Sequence, residues 1–342
     1  VMVRQGPHWV EIATFRSDLD YRDGRHPEKV VFTTAEEDAQ RRDFTINGLF
    51  YDPIDKRVID YVGGRKDLEA GVIRAIGDPA RRFAEDHLRM LRAVRFSARL
   101  GFPIEGGTAA AIREQAEHLS RISPERIREE LERMLVHPSR ADAVRQIAEL
   151  GLLGHLWPNG CWPPGRAEAS VRVLGNLTEK AGFVLSMAAL LSEHPLAEVP
   201  RVARDLRCSN QQSDRIAWLI EHIDEIHHAE ALCLPAMKML IANEAFDELL
   251  DLHKAVCLAR GLPLDGNEIA RERKASIPPE EVAPPPLVTG DDLIAAGLEP
   301  GPRFREILDR LYDEQLDNQL TSRDQAMERM RKLLAGSGGH EH

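Results

Sequence analysis

The sequence predicts an α+β chain, a short β-rich head followed by a long and predominantly all-α remainder. Three observations carry this. Apolar and polar residues alternate with a period of two in the first sixty positions. Beyond Gly63 the apolar spacing becomes helical and stays so. Helix start and stop residues then recur at short intervals.

In the head, residues 8–16 alternate, with Val10, Ile12 and Thr14 on one side and Trp9, Glu11, Ala13 and Phe15 on the other. Residues 21–27 read as a charged loop around Asp23-Gly24, and Val30-Val31-Phe32 as a short strand. Residues 44–51 and 58–62 read as two more strands, separated by the turn residues Asp52-Pro53 and Asp55.

The helical part opens on Gly77-Asp78-Pro79, where Asp78 can cap and Pro79 suits the first helical position. One helix is expected from there to Leu100, with Gly101 taking the left-handed residue after it. Ser123-Pro124 opens another helix and His137-Pro138 closes it. Ser139 opens a third, with Asp142 as a capping-box partner and Gly151 at its end. Further helices are expected near 168–192, 197–206, 209–227, 234–241 and 243–259. Pro278-Pro279 and Pro284-Pro285-Pro286 mark a rigid loop. Thr289 caps a short helix, and two more follow near 303–315 and 322–334.

A chain of 342 residues with 43% hydrophobic and 30% charged content reads as globular, with room for two to four domains. No apolar run is long enough to span a membrane. The cysteines Cys161, Cys208, Cys233 and Cys257 are scattered without a C-x-x-C, which argues against a zinc ribbon and for reduced cysteines in a cytoplasmic setting. The net charge of −11 argues against a protein that grips nucleic acid over its whole surface, and no DNA partner is expected. Residues 41–100, however, hold thirteen Arg/Lys against nine Asp/Glu, enough for a local phosphate-binding zone or for a solvated helix face.

Two segments carry chemistry. In Arg41-Arg42-Asp43-Phe44-Thr45-Ile46-Asn47, paired guanidinium groups offer planar donor forks for phosphate oxygens, although an Arg-Arg-Asp also describes a surface ion pair. In the segment from Glu85 to Phe96, arginines recur every three residues after an acid. On a continuous helix Asp86, Arg89 and Arg92 share one side, while Leu88, Leu91 and Val94 can pack. A helix with i,i+3 ion pairs fits the same pattern.

Taken together and in order, R-R-D-F-T-I-N, D-Y-V-G-G-R-K-D-L, E-D-x-L-R-x-x-R-A-x-R-F and S-P-E-R-I-R-E-E-L resemble class II tRNA nucleotidyltransferases (CCA-adding enzymes) and bacterial poly(A) polymerases. E-I-A-T-F-R and D-G-R-H-P match as well. The resemblance is specific over residues 8–135 and looser over 139–334.

It implies an RNA 3′-end nucleotidyltransferase that adds C and A to tRNA from CTP and ATP without a template. The other readings are an ATP-only poly(A) polymerase and an inactive tRNA- or RNA-binding protein. An HD-type phosphohydrolase is rejected, since no His-Asp dipeptide occurs. By the resemblance, Asp86 and Arg89 read the incoming base, Arg92 and Arg95 contact nucleotide or phosphate, and Arg42 contacts the triphosphate. Asp43 and Asn47 are supporting residues.

Mg²⁺ is the expected cofactor. The family's G-G-x-V-R-D loop followed by a D-x-D is not found, and the chain is expected to open beyond it. Glu11 is then the one catalytic carboxylate candidate, with a structural role equally open. The implied organisation is an incomplete nucleotidyltransferase head over 1–62, a neck over 63–137, a body over 138–277, a tRNA-binding tail over 278–335 and a disordered terminus over 336–342.

Overall fold

The structure, a computed structural model, describes residues 1–21, 27–157, 162 and 165–336. The chain divides into two compact units, Val1–Ala217 and Trp218–His342. The division falls inside the segment 138–277 expected to form a single body.

The head consists of three antiparallel hairpins. Strands β1 (Met2–Gln5) and β2 (His8–Glu11) pair with Val3 opposite Val10. Strands β3 (Arg16–Tyr21) and β4 (Pro27–Phe32) pair with Arg16 opposite Phe32. The alternation over 8–16 is therefore divided between two strands. The expected charged loop at 21–27 lies mostly outside the described residues.

After α1 (Ala35–Gln40), the strand expected at 44–51 is only half formed. Thr45–Asn47 is a 3₁₀ turn, and β5 (Leu49–Asp52) pairs with β6 (Arg57–Asp60). The cause is local side-chain bonding that competes with a ladder. Asp43 Oδ1 accepts from Phe44 N at 2.9 Å and from Asn47 Nδ2 at 3.0 Å. The turn between the strands is held by Asp52 Oδ1, which accepts from Ile54 N and Asp55 N.

Gly63-Gly64 then opens α2 (Gly64–Ala70), and each glycine is required for its own reason. Gly63 has φ +79°, in the left-handed region. Gly64 lies so near the Thr45 carbonyl that an added Cβ would stand 2.2 Å from its oxygen.

The remainder of the first unit is helical: α3 (Pro79–Glu85), α4 (Leu88–Leu100), α5 (Gly106–Gln115), α6 (Pro124–Leu135), α7 (Arg140–Glu149), α8 (Arg166–Gly175), α9 (Phe183–Leu191), α10 (Val199–Asp205) and α11 (Asn210–Glu221, crossing the boundary). Asp78 caps α3 by accepting from Ala80 N, and Gly101 ends α4 at φ +69°. Ser139 precedes α7 but forms no capping box, because its hydroxyl bonds His137 Nδ1 at 2.8 Å instead. Leu88, Leu91 and Val94 are buried as their spacing predicts.

The second unit contains α12 (Ile223–His227), α13 (Leu234–Ala242), α14 (Phe246–Arg260), α15 (Asp265–Ser276), α16 (Pro279–Val282), α17 (Gly290–Ala295), α18 (Pro302–Leu316) and α19 (Arg323–Gly336). The sequence reading missed α15, whose only buried residues are Asn267 and Ala270 and which therefore shows little apolar periodicity. Thr289 and Asp292 form a capping box on α17, as expected from Thr289. Val288, Leu293, Ile307, Leu311 and Met330 build a small separate core under α17–α19. No described helix is long and apolar enough to cross a membrane.

Candidate nucleotide-binding site

The single helix expected from Pro79 to Leu100 is two helices, broken at Asp86-His87. Asp86 is extended (φ −152°, ψ 103°), and its Oδ1 accepts from Leu88 N at 3.1 Å. A short acid that bonds the backbone ahead of it starts a new helix rather than continuing the old one. Asp86 therefore stands at the mouth of a helix-helix joint, not on the α4 face with Arg92.

Its other oxygen, Oδ2, accepts from Arg126 Nη2 on α6 at 2.8 Å. His87, beside it, is held below the usual histidine range, first by burial and then by His118 and Arg121. The neighbour of Asp86 is therefore a neutral imidazole near neutral pH.

Arg89 begins the next helix and is held by three acceptors. Its Nη1 donates to Glu85 Oε2 at 3.0 Å and to the Arg82 carbonyl at 3.0 Å. Its Nη2 donates to the Arg41 carbonyl at 3.1 Å. Arg82 donates in parallel to the Gln40 carbonyl at 2.7 Å. The two arginines thus bind the end of α1 to the α3–α4 joint and bring the R-R-D segment beside E-D-x-x-R.

Within that segment Arg42 donates to Asp38 Oδ2 at 3.1 Å and to the Asn47 carbonyl at 2.8 Å, and its guanidinium lies 4.7 Å from the Phe50 ring. Its side chain remains 37% exposed, so it can still meet an anion. Asp43 is buried and accepts from Arg92 Nη2 at 2.6 Å. Asp43 thus links Asn47 and Arg92 in one hydrogen-bonded set.

Arg92 and Arg95 differ. Arg92 is partly exposed, whereas Arg95 is 8% exposed. Arg95 donates to Glu130 Oε2 at 2.6 Å and stacks 4.3 Å from the Phe96 ring. Glu130 is 1% exposed and also accepts from Arg133 at 2.8 Å. Arg95 therefore faces a buried carboxylate.

The sequence reading did not single out Glu130, Glu85 or Arg82. A signal was available, since Arg126, Glu130 and Arg133 recur at i, i+4 and i+7 and so share one face of α6.

Glu11 ends β2 opposite Met2 and is exposed, away from Asp86 and Arg89 in sequence and element. Ala13 lies beyond the end of that strand. The string Asp18-Leu19-Asp20 has the D-x-D form but follows T-F-R on β3, and its side chains lie outside the described ones. Among the described residues no three carboxylates gather into a metal site.

The chain resembles known proteins along most of its length. Residues 1–74 match the Poly A polymerase head domain, and residues 101–161 match the "Probable RNA and SrmB-binding site of polymerase A". A CCA-adding enzyme of Geobacillus kaustophilus is 32% identical, with 91% of this chain and 76% of that protein covered. One from Lactobacillus helveticus is 35% identical over 66% of this chain and 56% of its own length. Among solved structures, the Bacillus stearothermophilus CCA-adding enzyme in complex with CTP superposes with a TM-score of 0.76 at 28% identity, covering 98% of this chain and 82% of that one. A Thermotoga maritima CCA-adding enzyme complexed with tRNA shares the fold at a TM-score of 0.59. With this fold, these motifs and this breadth of similarity, the chain belongs to the CCA-adding enzyme family.

Proposed function

We propose that the chain selects CTP and ATP for template-independent addition of C and A to the 3′ end of tRNA. The observation that carries this is the α3–α4 joint, where the Asp86 carboxylate and the Arg89 guanidinium sit three residues apart, each braced by a group of opposite charge. Asp86 accepts a hydrogen bond from the exocyclic amino group of C or A. Arg89 donates to the adjacent ring acceptor. Uracil and guanine present the reverse order, setting an acceptor against the carboxylate and a donor against the guanidinium, at a cost of about 1–3 kcal/mol.

Three of the five N–H donors of Arg89 are taken by Glu85 and the Arg82 and Arg41 carbonyls, so donors remain for a base while the side chain stays held. Arg42 meets the triphosphate and Arg92 a neighbouring phosphate, whereas Arg95 acts through Glu130. In the reaction the RNA 3′-oxygen bonds to the α-phosphorus, pyrophosphate leaves with the electron pair of the broken P–O bond, and the hydroxyl proton is lost. Mg²⁺ is the ion we expect the reaction to use. Among the described residues no three carboxylates gather to hold it. The neck, body and tail division at 63–137, 138–277 and 278–335, with tRNA held by the tail, and a cytoplasmic location belong to the same reading.

The Poly A polymerase description of the head favours one second reading, an enzyme that uses ATP alone. Both are tested on tRNA lacking its CCA end, with Mg²⁺ and each nucleotide alone and combined. The assay uses the chain as it stands and the full reading frame that encodes it. Ordered C then A incorporation, lost in Asp86→Ala, supports CCA addition. A-only tailing supports the second reading. Binding of tRNA without incorporation by either protein removes the enzyme claim.

A further inference from the structure

The second unit contains a buried cluster that the nucleotide chemistry does not use. His253 and Cys257 lie four residues apart on α14, hence on one face, and each is 1% exposed. His227, the last residue of α12, closes the group. Single ligand atoms of the three lie within 4.8 Å of one another, the only such group among the described residues. Cys257 Sγ stands 3.4 Å from His253 Nε2 and 3.9 Å from Nδ1.

We propose that His227, His253 and Cys257 form a site for a zinc-type divalent ion that ties α12 to α14. The inference is independent of the nucleotide site. Two imidazoles and a thiol, with no carboxylate among them, are soft to borderline donors that suit zinc rather than Mg²⁺. Tetrahedral zinc places neighbouring N and S ligands about 3.5 Å apart, given bond lengths of about 2.0 and 2.3 Å. The cluster already approaches that spacing. Because the sulfur faces both ring nitrogens, a side-chain rotation must bring the nitrogen lone pair and the sulfur onto the ion. Three protein ligands leave one position for water. Asp224, one turn before His227 on α12, adds negative charge near His253.

Burial holds the Cys257 thiol above its ordinary value, so metal binding must release its proton to solvent. Burial also lowers His253 to about 4, which leaves a neutral ring near neutral pH. Asn267 fixes where the ring proton sits. Its Oδ1 takes Arg271 Nε at 3.0 Å, and its Nδ2 donates to the Leu250 carbonyl at 2.7 Å. Nδ2 is therefore turned towards His253 Nδ1 at 3.3 Å, and the ring proton lies on Nε2. Coordination through Nε2 moves that proton to Nδ1 and ends the contact with Asn267.

The test is cobalt(II) titration of the full chain after chelator treatment, with His340 and His342 replaced by alanine so that the terminus adds no ligands. The expected result is one cobalt per chain with a thiolate-to-cobalt charge-transfer absorption, displaced by zinc. The absorption is lost in Cys257→Ala and kept in Cys208→Ala and Cys233→Ala. His227→Gln, at a half-buried position, weakens binding. Asn267→Asp supplies an acceptor for the Nδ1 proton and tightens it by about tenfold. Far-ultraviolet circular dichroism checks that each variant is folded. Absence of thiolate absorption in the parent, or its survival in folded Cys257→Ala, overturns the proposal.

Discussion

Arg126 on α6 donates to Asp86 Oδ2 at 2.8 Å, across forty residues of sequence. The bond fixes the direction of a carboxylate whose other oxygen is occupied by Leu88 N. The proposed base reader is thus aimed before any base arrives, and preorganisation of this kind raises specificity by removing ordering costs.

Arg126→Ala should therefore damage selection more than folding. A hydrogen bond to a charged group is worth about 1.5–3 kcal/mol, or roughly 10- to 100-fold in an equilibrium. The expected outcome is a rise of about tenfold in KM for CTP and ATP, with increased UTP and GTP misincorporation. Arg126→Lys should recover part of it, since an ammonium supplies charge but not the planar fork. Single-nucleotide incorporation assays read both, and unchanged discrimination in folded Arg126→Ala would show that the pair is only structural.

Glu130 serves a different end. It is 1% exposed and accepts from Arg95 and Arg133, with Arg92 Nη1 at 3.9 Å. Removing one member of a buried ion pair strands the other, at a cost of about 3–5 kcal/mol. Glu130→Ala should lower stability by that amount in urea unfolding, because Arg95 would be left buried and unpaired. A loss below about 1 kcal/mol would mean that Arg95 finds water or another acceptor.

Glu130 also marks where sequence reasoning stopped. The buried positions Leu88, Leu91 and Val94 were legible because apolar periodicity reports burial directly. The caps at Asp78, Gly101 and Thr289 were legible because their chemistry is local. The break at Asp86-His87 was not, because the same Asp serves inside a helix or at its start. What decides is the bond from Leu88 N together with the Arg126 contact made by a distant helix. Likewise, the recurrence of arginines in the two segments did not distinguish half-buried Arg42 from buried Arg95. Burial of a charge depends on a partner, Glu130, that pairing by sequence distance does not reveal.

The turn into α2 gives a pH-dependent prediction. Asp60 Oδ1 accepts from Val62 N, Gly63 N and Gly64 N, and Oδ2 accepts from Arg65 N, all near 3.0 Å. Burial alone would raise its pKa, but the four N–H donors outweigh it and hold the carboxyl below its ordinary 3.8. The ionised form is thus bound more tightly in the folded chain than in the unfolded one. Its contribution is fully present above 3.8 and is lost as pH falls through the depressed folded value. Asp60→Asn keeps one acceptor oxygen but loses the charge, and should cost about 1–3 kcal/mol at neutral pH. The gap between wild type and Asp60→Asn in urea unfolding should stay constant down to 3.8 and close below it, since protonated Asp60 resembles the amide. A gap that persists unchanged into strong acid would mean that the four donors respond to the shape of the side chain and not to its charge.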